Sequence, residues 1–244
     1  MRVRPVRLNM RLLRLLAAVV TSFATALAQA TDAGRPSPFV VFNPFASFES
    51  RCADLPPPRI EVSAAPVEFA EDYGTSFRAL SRMQEPTQGR HRTVGLTQAR
   101  LGYESTLESH GLQDRGGRVC ARPNITLVFT ATPMTVYVAR EVADDDCRRK
   151  AIREHEMKHV AVYQEYLPLL VGRARQQLNT LYGSEVVYGS DAKASQQAMR
   201  ARLQTFMQPL MQAAYAELRA RHAAVDTPEE YLRLERACGP LPQG

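Results

Sequence analysis

The chain has 244 residues, 31 Lys and Arg against 25 Asp and Glu, a formal charge of +6 and four cysteines. Five of the arginines and none of the acids fall within residues 1–30, so the remainder is close to neutral. Such a remainder has no global field to steer nucleic acid or an acidic membrane surface, and its length suffices for one buried core without a second domain.

At the N-terminus, Arg2, Arg4, Arg7, Arg11 and Arg14 precede the apolar run Leu15–Val20, which continues weakly to Leu27. This reads as a secretory signal peptide over residues 1–30, with small-x-small cleavage patterns at Ala26–Ala28 and Ala28–Ala30. The run is shorter than the ~20 apolar residues of a membrane span, so stable insertion after cleavage is not expected. The protein is expected to be exported, periplasmic or secreted. An even number of cysteines in an oxidising compartment then favours two disulfides. Chain order suggests Cys120–Cys147 around a hairpin and Cys52–Cys238 joining the ends.

Residues 31–58 are rich in proline and small residues and read as an irregular lead-in to a single domain over 59–244. Ile60–Val62 and Val67–Phe69 alternate like strands, Thr75–Met83 suits a short helix, and Arg90–Tyr103 is strand-like with Gly95 as a break. Asn124–Thr130 and Met134–Ala139, separated by Ala-Thr-Pro, predict an antiparallel hairpin. From Asp144 the period becomes helical. One long helix should run to about Tyr182, with Ile152, Val160, Tyr163, Leu167, Leu170, Ala174, Leu178 and Leu181 inward. A second should span about Asp191 to His222, with Met199, Leu203, Phe206, Leu210, Ala214 and Leu218 inward. The expected fold is α+β: a small antiparallel β-region followed by a long antiparallel α-helical hairpin.

The first helix contains His155-Glu156-Met157-Lys158-His159. Two histidines four residues apart share one helix face and can share one ion, and the intervening glutamate can reach water beside it. Catalytic zinc takes three protein ligands, so one is missing. Aligning the internal prolines Pro168 and Pro209 places the partners of His155 and His159 near residues 222 and 218. Glu217 is the first choice, because two histidines and a glutamate form an established zinc set. His222 follows, then a carboxylate in Asp226–Tyr231, with Glu185 also considered. Glu165, six residues past His159, lies on another face of its own helix. Tyr163 and Tyr215 are candidates to support an oxyanion, though a core aromatic is the plainer reading of each. His91 and His110 stand alone in polar stretches and read as solvated.

The order Tyr73–Leu80, Gly89, Val94–Thr97, Cys120, the proline-centred β segment and His155–His159 resembles an uncharacterised bacterial family described as predicted secreted zinc-dependent proteases. The resemblance spans roughly residues 60–185. It implies a zincin-like peptidase acting on peptides or proteins, with Zn2+ on His155 and His159 and Glu156 as general base. Family members carry a Thr-x-His-Gly-like element in the C-terminal tail, whereas this chain has Asp226-Thr-Pro-Glu-Glu-Tyr231, which leaves the third ligand open. Two other readings compete: core histidines in a helical hairpin with Glu154, Glu156 and Lys158 solvated, and an exported binding module that keeps a metal without catalysis.

Overall fold

A computed structural model describes residues 46–83 and 93–239. The elements in order are α1 (Phe48–Ala53), β1 (Arg59–Ala64), β2 (Ala70–Asp72), α2 (Phe77–Met83), β3 (Gly95–Gln113), β4 (Val119–Val138), α3 (Arg140–Ala143), α4 (Asp146–Tyr182), β5 (Val187–Gly189), α5 (Ala192–Val225) and α6 (Pro228–Cys238). The signal-peptide segment and His91 lie outside the described residues. The lead-in is not wholly irregular, since α1 falls within it, capped by the Ser47 side chain.

The architecture is mixed α/β. β4 is the central strand: β3 pairs along its whole length on one side, and β5, β1 and β2 occupy successive parts of the other. β1 and β2 run parallel to β4, so the sheet is mixed rather than antiparallel as expected.

The expected hairpin within 124–139 is also corrected. Residues 119–138 form one continuous strand, and the antiparallel hairpin is β3–β4 instead. Its turn at Asp114–Arg118 has the Asp114 side chain accepting from the Arg118 N–H and Gly117 at φ +88°, where a side chain would be strained. Thr132-Pro133, a cis peptide, sits at a register shift between Ala99 and Leu101 of β3. Before it the inward residues are odd-numbered (Ile125, Leu127, Phe129, Ala131); after it they are even-numbered (Met134, Val136, Val138). A one-residue slip flips a strand's faces, so the extra residue here is what keeps the apolar face inward. Proline, lacking an N–H, is tolerated at such a bulge and reads in sequence like a turn.

The disulfides follow from this. They join Cys52 to Cys120 and Cys147 to Cys238, correcting the expected pairing. An extended strand rises about 3.3 Å per residue, so Cys120 and the far end of β4 are about 60 Å apart, far beyond a disulfide's reach of about 7 Å between Cα atoms. Cys52–Cys120 instead pins α1 to the start of β4, and both cysteines are fully buried. Two disulfides, and no described helix long and apolar enough to cross a membrane, are compatible with an exported protein.

α4 and α5 pack together and α4 lies against β1, β4 and β3. The inward residues of both helices match the expected stripes, with Leu181 and Phe206 only partly buried and Tyr166, Tyr182 and Met207 added to the core. Each fully buried apolar side chain contributes about 1.5–3 kcal/mol. The contacts Tyr182–Met199 and His159–His222 show that the two helices run in opposite directions. Their register is one turn away from the proline alignment, because His159 meets His222 rather than residue 218.

Candidate metal centre

α4 starts where the sequence places it, with the Asp145 carboxylate accepting from the Arg148 N–H at its N-cap. The four-residue spacing then turns His155 and His159 to the buried face, with Glu156 beside them. His155 and His159 each hold Nε2 at 3.2 Å from one oxygen, Oδ1 of Asp226. The candidate ligand atoms of these three residues all lie within 4.8 Å of one another. Asp226 is the residue at which α5 ends, its N–H donating to the His222 carbonyl, and Thr227 caps the start of α6.

Glu217, the first choice from sequence, is elsewhere. Its carboxylate accepts from Arg173 at 3.0 Å and from Arg221 at 2.9 Å. With the helices one turn out of the assumed register, Glu217 faces Arg173, and the acidic position comes from Asp226 beyond the helix end. Glu185 pairs with Arg202, and Glu165 is exposed on α4. Tyr215 donates to the Leu101 carbonyl, and the Tyr163 ring packs against His222 with centroids 5.0 Å apart. His110 is exposed and bonds to Asn124.

Three groups support the cluster. Glu230 Oε1 lies 3.3 Å from His155 Nδ1 and also accepts from Lys158 at 2.6 Å and Arg233 at 2.8 Å. His222 Nδ1 lies 3.0 Å from His159 Nδ1. The Tyr231 hydroxyl donates to Asp226 Oδ1 at 3.2 Å. The sequence pointed to His222 near the end of the second helix and to Asp226–Tyr231 as a segment beyond it, but carried no signal for the supporting roles of His222, Glu230 and Tyr231.

Counting protons tests whether these residues fit a cation. Without one, His155 faces a carboxylate at each ring nitrogen and satisfies both only as imidazolium. Burial opposes that form, but Asp226, Glu156 and Glu230 outweigh it and raise the His155 pKa. With a cation at the two Nε2 atoms, His155 Nδ1–H can donate to Glu230 and His159 Nδ1–H to His222, which leaves the buried His222 Nε2–H without a partner among the described residues. Zinc bonds of 2.0–2.1 Å imply tetrahedral ligand separations of about 3.3–3.4 Å, close to the observed 3.2 Å spacings. Two imidazole nitrogens and a carboxylate oxygen, all within 4.8 Å of one another, make a donor set that could hold a divalent cation such as zinc.

The electrostatics agree. Burial alone would raise the Asp226 carboxyl, but hydrogen bonds from His155 and His159 hold it well below the usual range. Arg233, despite burial and with help from Lys158 and His155, does the same for Glu230. Burial and the neighbouring His159 push His222 down to about 4, so it is neutral at pH 7. Burial and then Asp226 push Tyr231 up to about 12, which keeps its phenol a donor.

Glu156 is braced from β3. The Thr97 hydroxyl lies 2.9 Å from its carboxylate and 3.1 Å from its carbonyl, and its single proton can serve one acceptor at a time. Burial pushes the Glu156 pKa up, opposed by the imidazoles of His159 and His155 and by Thr97. Gly95 explains the break in the strand pattern: a Cβ there would sit 2.4 Å from Glu156 Oε1 and 2.6 Å from an Ile152 methyl. The glycine lets the strand approach the carboxylate.

Comparison with protein-family models, curated proteins and solved structures returns no match.

Proposed function

We propose that this protein is an exported, zincin-like zinc peptidase in which His155, His159 and Asp226 hold the metal and Glu156 is the general base. The observation that carries the reading is the convergence of two Nε2 atoms on one Asp226 oxygen at 3.2 Å, with a buried glutamate beside them. Zinc, when bound, supplies Lewis acidity that polarises a carbonyl and lowers the pKa of water toward ~7. Glu156 takes a proton from the attacking water and returns it to the leaving amine. Thr97 and the close approach at Gly95 hold its carboxylate in place, and Tyr231 offers a neutral hydroxyl beside Asp226.

A peptide substrate fits the sheet. Among the described residues β3 pairs only with β4, so its other edge is unpaired where Gly95–Ala99 passes Glu156. An extended chain can add to such an edge through main-chain hydrogen bonds.

One observation favours a second reading, a non-catalytic exported metal module. The side chains of His155, His159 and Asp226 are only 6%, 10% and 20% exposed, as in a closed structural site. Glu156→Gln separates the two, since it keeps the side chain's shape and removes its basicity. Elemental analysis should find near-stoichiometric zinc in wild type and Glu156→Gln but not in His159→Ala. Hydrolysis of a broad peptide library should be lost in both variants. A wild type that binds zinc and cleaves nothing would favour the module.

A further inference from the structure

We propose that His222 is a positioning residue whose Nδ1 accepts the Nδ1–H of His159, fixing the tautomer and ring orientation that present His159 Nε2 to a divalent cation. This rests on the reading of His155, His159 and Asp226 as a zinc site.

Two imidazole nitrogens 3.0 Å apart need one proton between them, one acting as donor and the other as lone pair. His159 Nε2 points at Asp226 Oδ1, so as a metal ligand its remaining proton is on Nδ1 and must be donated to His222. His222 is held to receive it. Its ring sits 5.2 Å from that of His159 and 5.0 Å from that of Tyr163. Its carbonyl accepts the Asp226 N–H at 3.2 Å, so one turn of α5 delivers both the carboxylate ligand and the support for the opposing histidine.

The proton left on His222 argues against a packing role. Once Nδ1 is the acceptor, Nε2 carries the hydrogen, and that atom is buried with no hydrogen-bond partner among the described residues. An unpaired buried donor is costly, and a phenylalanine would fill the same place beside Tyr163 without it. Glu230 plays the equivalent part for His155 with an anionic acceptor, so the two ligands are supported from the two sides of Asp226 by different chemistry.

The test measures zinc affinity of the whole protein by competition with a chromophoric chelator, together with the visible spectrum of the Co2+-substituted form. Wild type is compared with His222→Phe, which cannot accept, and His222→Asn, whose amide oxygen can. His222→Phe should weaken zinc about 10–100-fold and alter the cobalt bands, and His222→Asn should restore affinity to within about threefold of wild type. Phenylalanine binding as tightly as histidine, or both variants losing affinity equally, overturns the positioning role alone. A wild type that takes up no zinc overturns the metal site with it.

Discussion

At the scale of single residues, the difference between Glu217 and Asp226 shows where sequence reasoning runs out. His155, Glu156 and His159 were legible because a four-residue spacing fixes their common face whatever surrounds the helix. The identity of the third residue beside the two histidines depended on the register of two helices, and the internal prolines did not set it. Asp226 lies past the end of α5, where its position depends on where the helix stops and how α6 turns back. Asp226→Ala should lower zinc affinity by about a hundredfold or more, because three ligands become two. Glu217→Ala should leave affinity unchanged, since its partners Arg173 and Arg221 are outside the cluster. Its half-exposed ion pairs are worth about 1 kcal/mol or less. Equal loss in both variants, by the same chelator competition, would return Glu217 to the site.

At the scale of elements, the least expected piece is α6. Proline at its start and Thr227 as its cap define it, yet it buries no residue. Packing alone does not hold it, although it supplies Glu230 and Tyr231 to the cluster. It is fastened by polar and covalent links to α4: Lys158 to Glu230, Arg148 to the Cys238 carbonyl, and the Cys147–Cys238 disulfide. Cys238→Ser should therefore weaken zinc about tenfold by loosening the support of His155. Cys52→Ser, which cuts the buried bridge at the other end of the sheet, should leave zinc affinity intact. Either loss costs roughly 4–5 kcal/mol of global stability on chain-entropy grounds, for separations of 68 and 91 residues. Thermal melting paired with the zinc titration distinguishes a local effect from a general one, and equal zinc affinity in the two variants would refute the strap role of α6. Pro133 carried a turn signal that pairing overrode, because β3 pairs with β4 both before and after it, while on the other side β1 ends at Phe129 and β2 starts at Thr135.

At the scale of the whole molecule, the candidate ligands link regions distant in the chain. His159 and Asp226 are 67 residues apart, and the helix bearing His159 is also the one packed on β1, β3 and β4. A cation bound by all three residues exists only when α4, the end of α5 and the sheet are assembled, so it binds the folded state and not the unfolded chain. Binding of that kind stabilises by about 2.7 kcal/mol at a free concentration a hundred times the dissociation constant. For a domain of about 200 residues, each kcal/mol moves the melting temperature by about 2–4 °C, so zinc should raise it by about 5–10 °C and a chelator should return it. Asp226→Ala should show almost none of that shift, and Glu156→Gln should keep it, because Glu156 acts on substrate water and is not a ligand. The melting curve thus tests the metal site without requiring a substrate. A wild type whose midpoint is indifferent to zinc, in protein first stripped by chelator, would leave His155 and His159 as core histidines sharing protons with Asp226, the reading in which the imidazolium form of His155 alone satisfies both carboxylates.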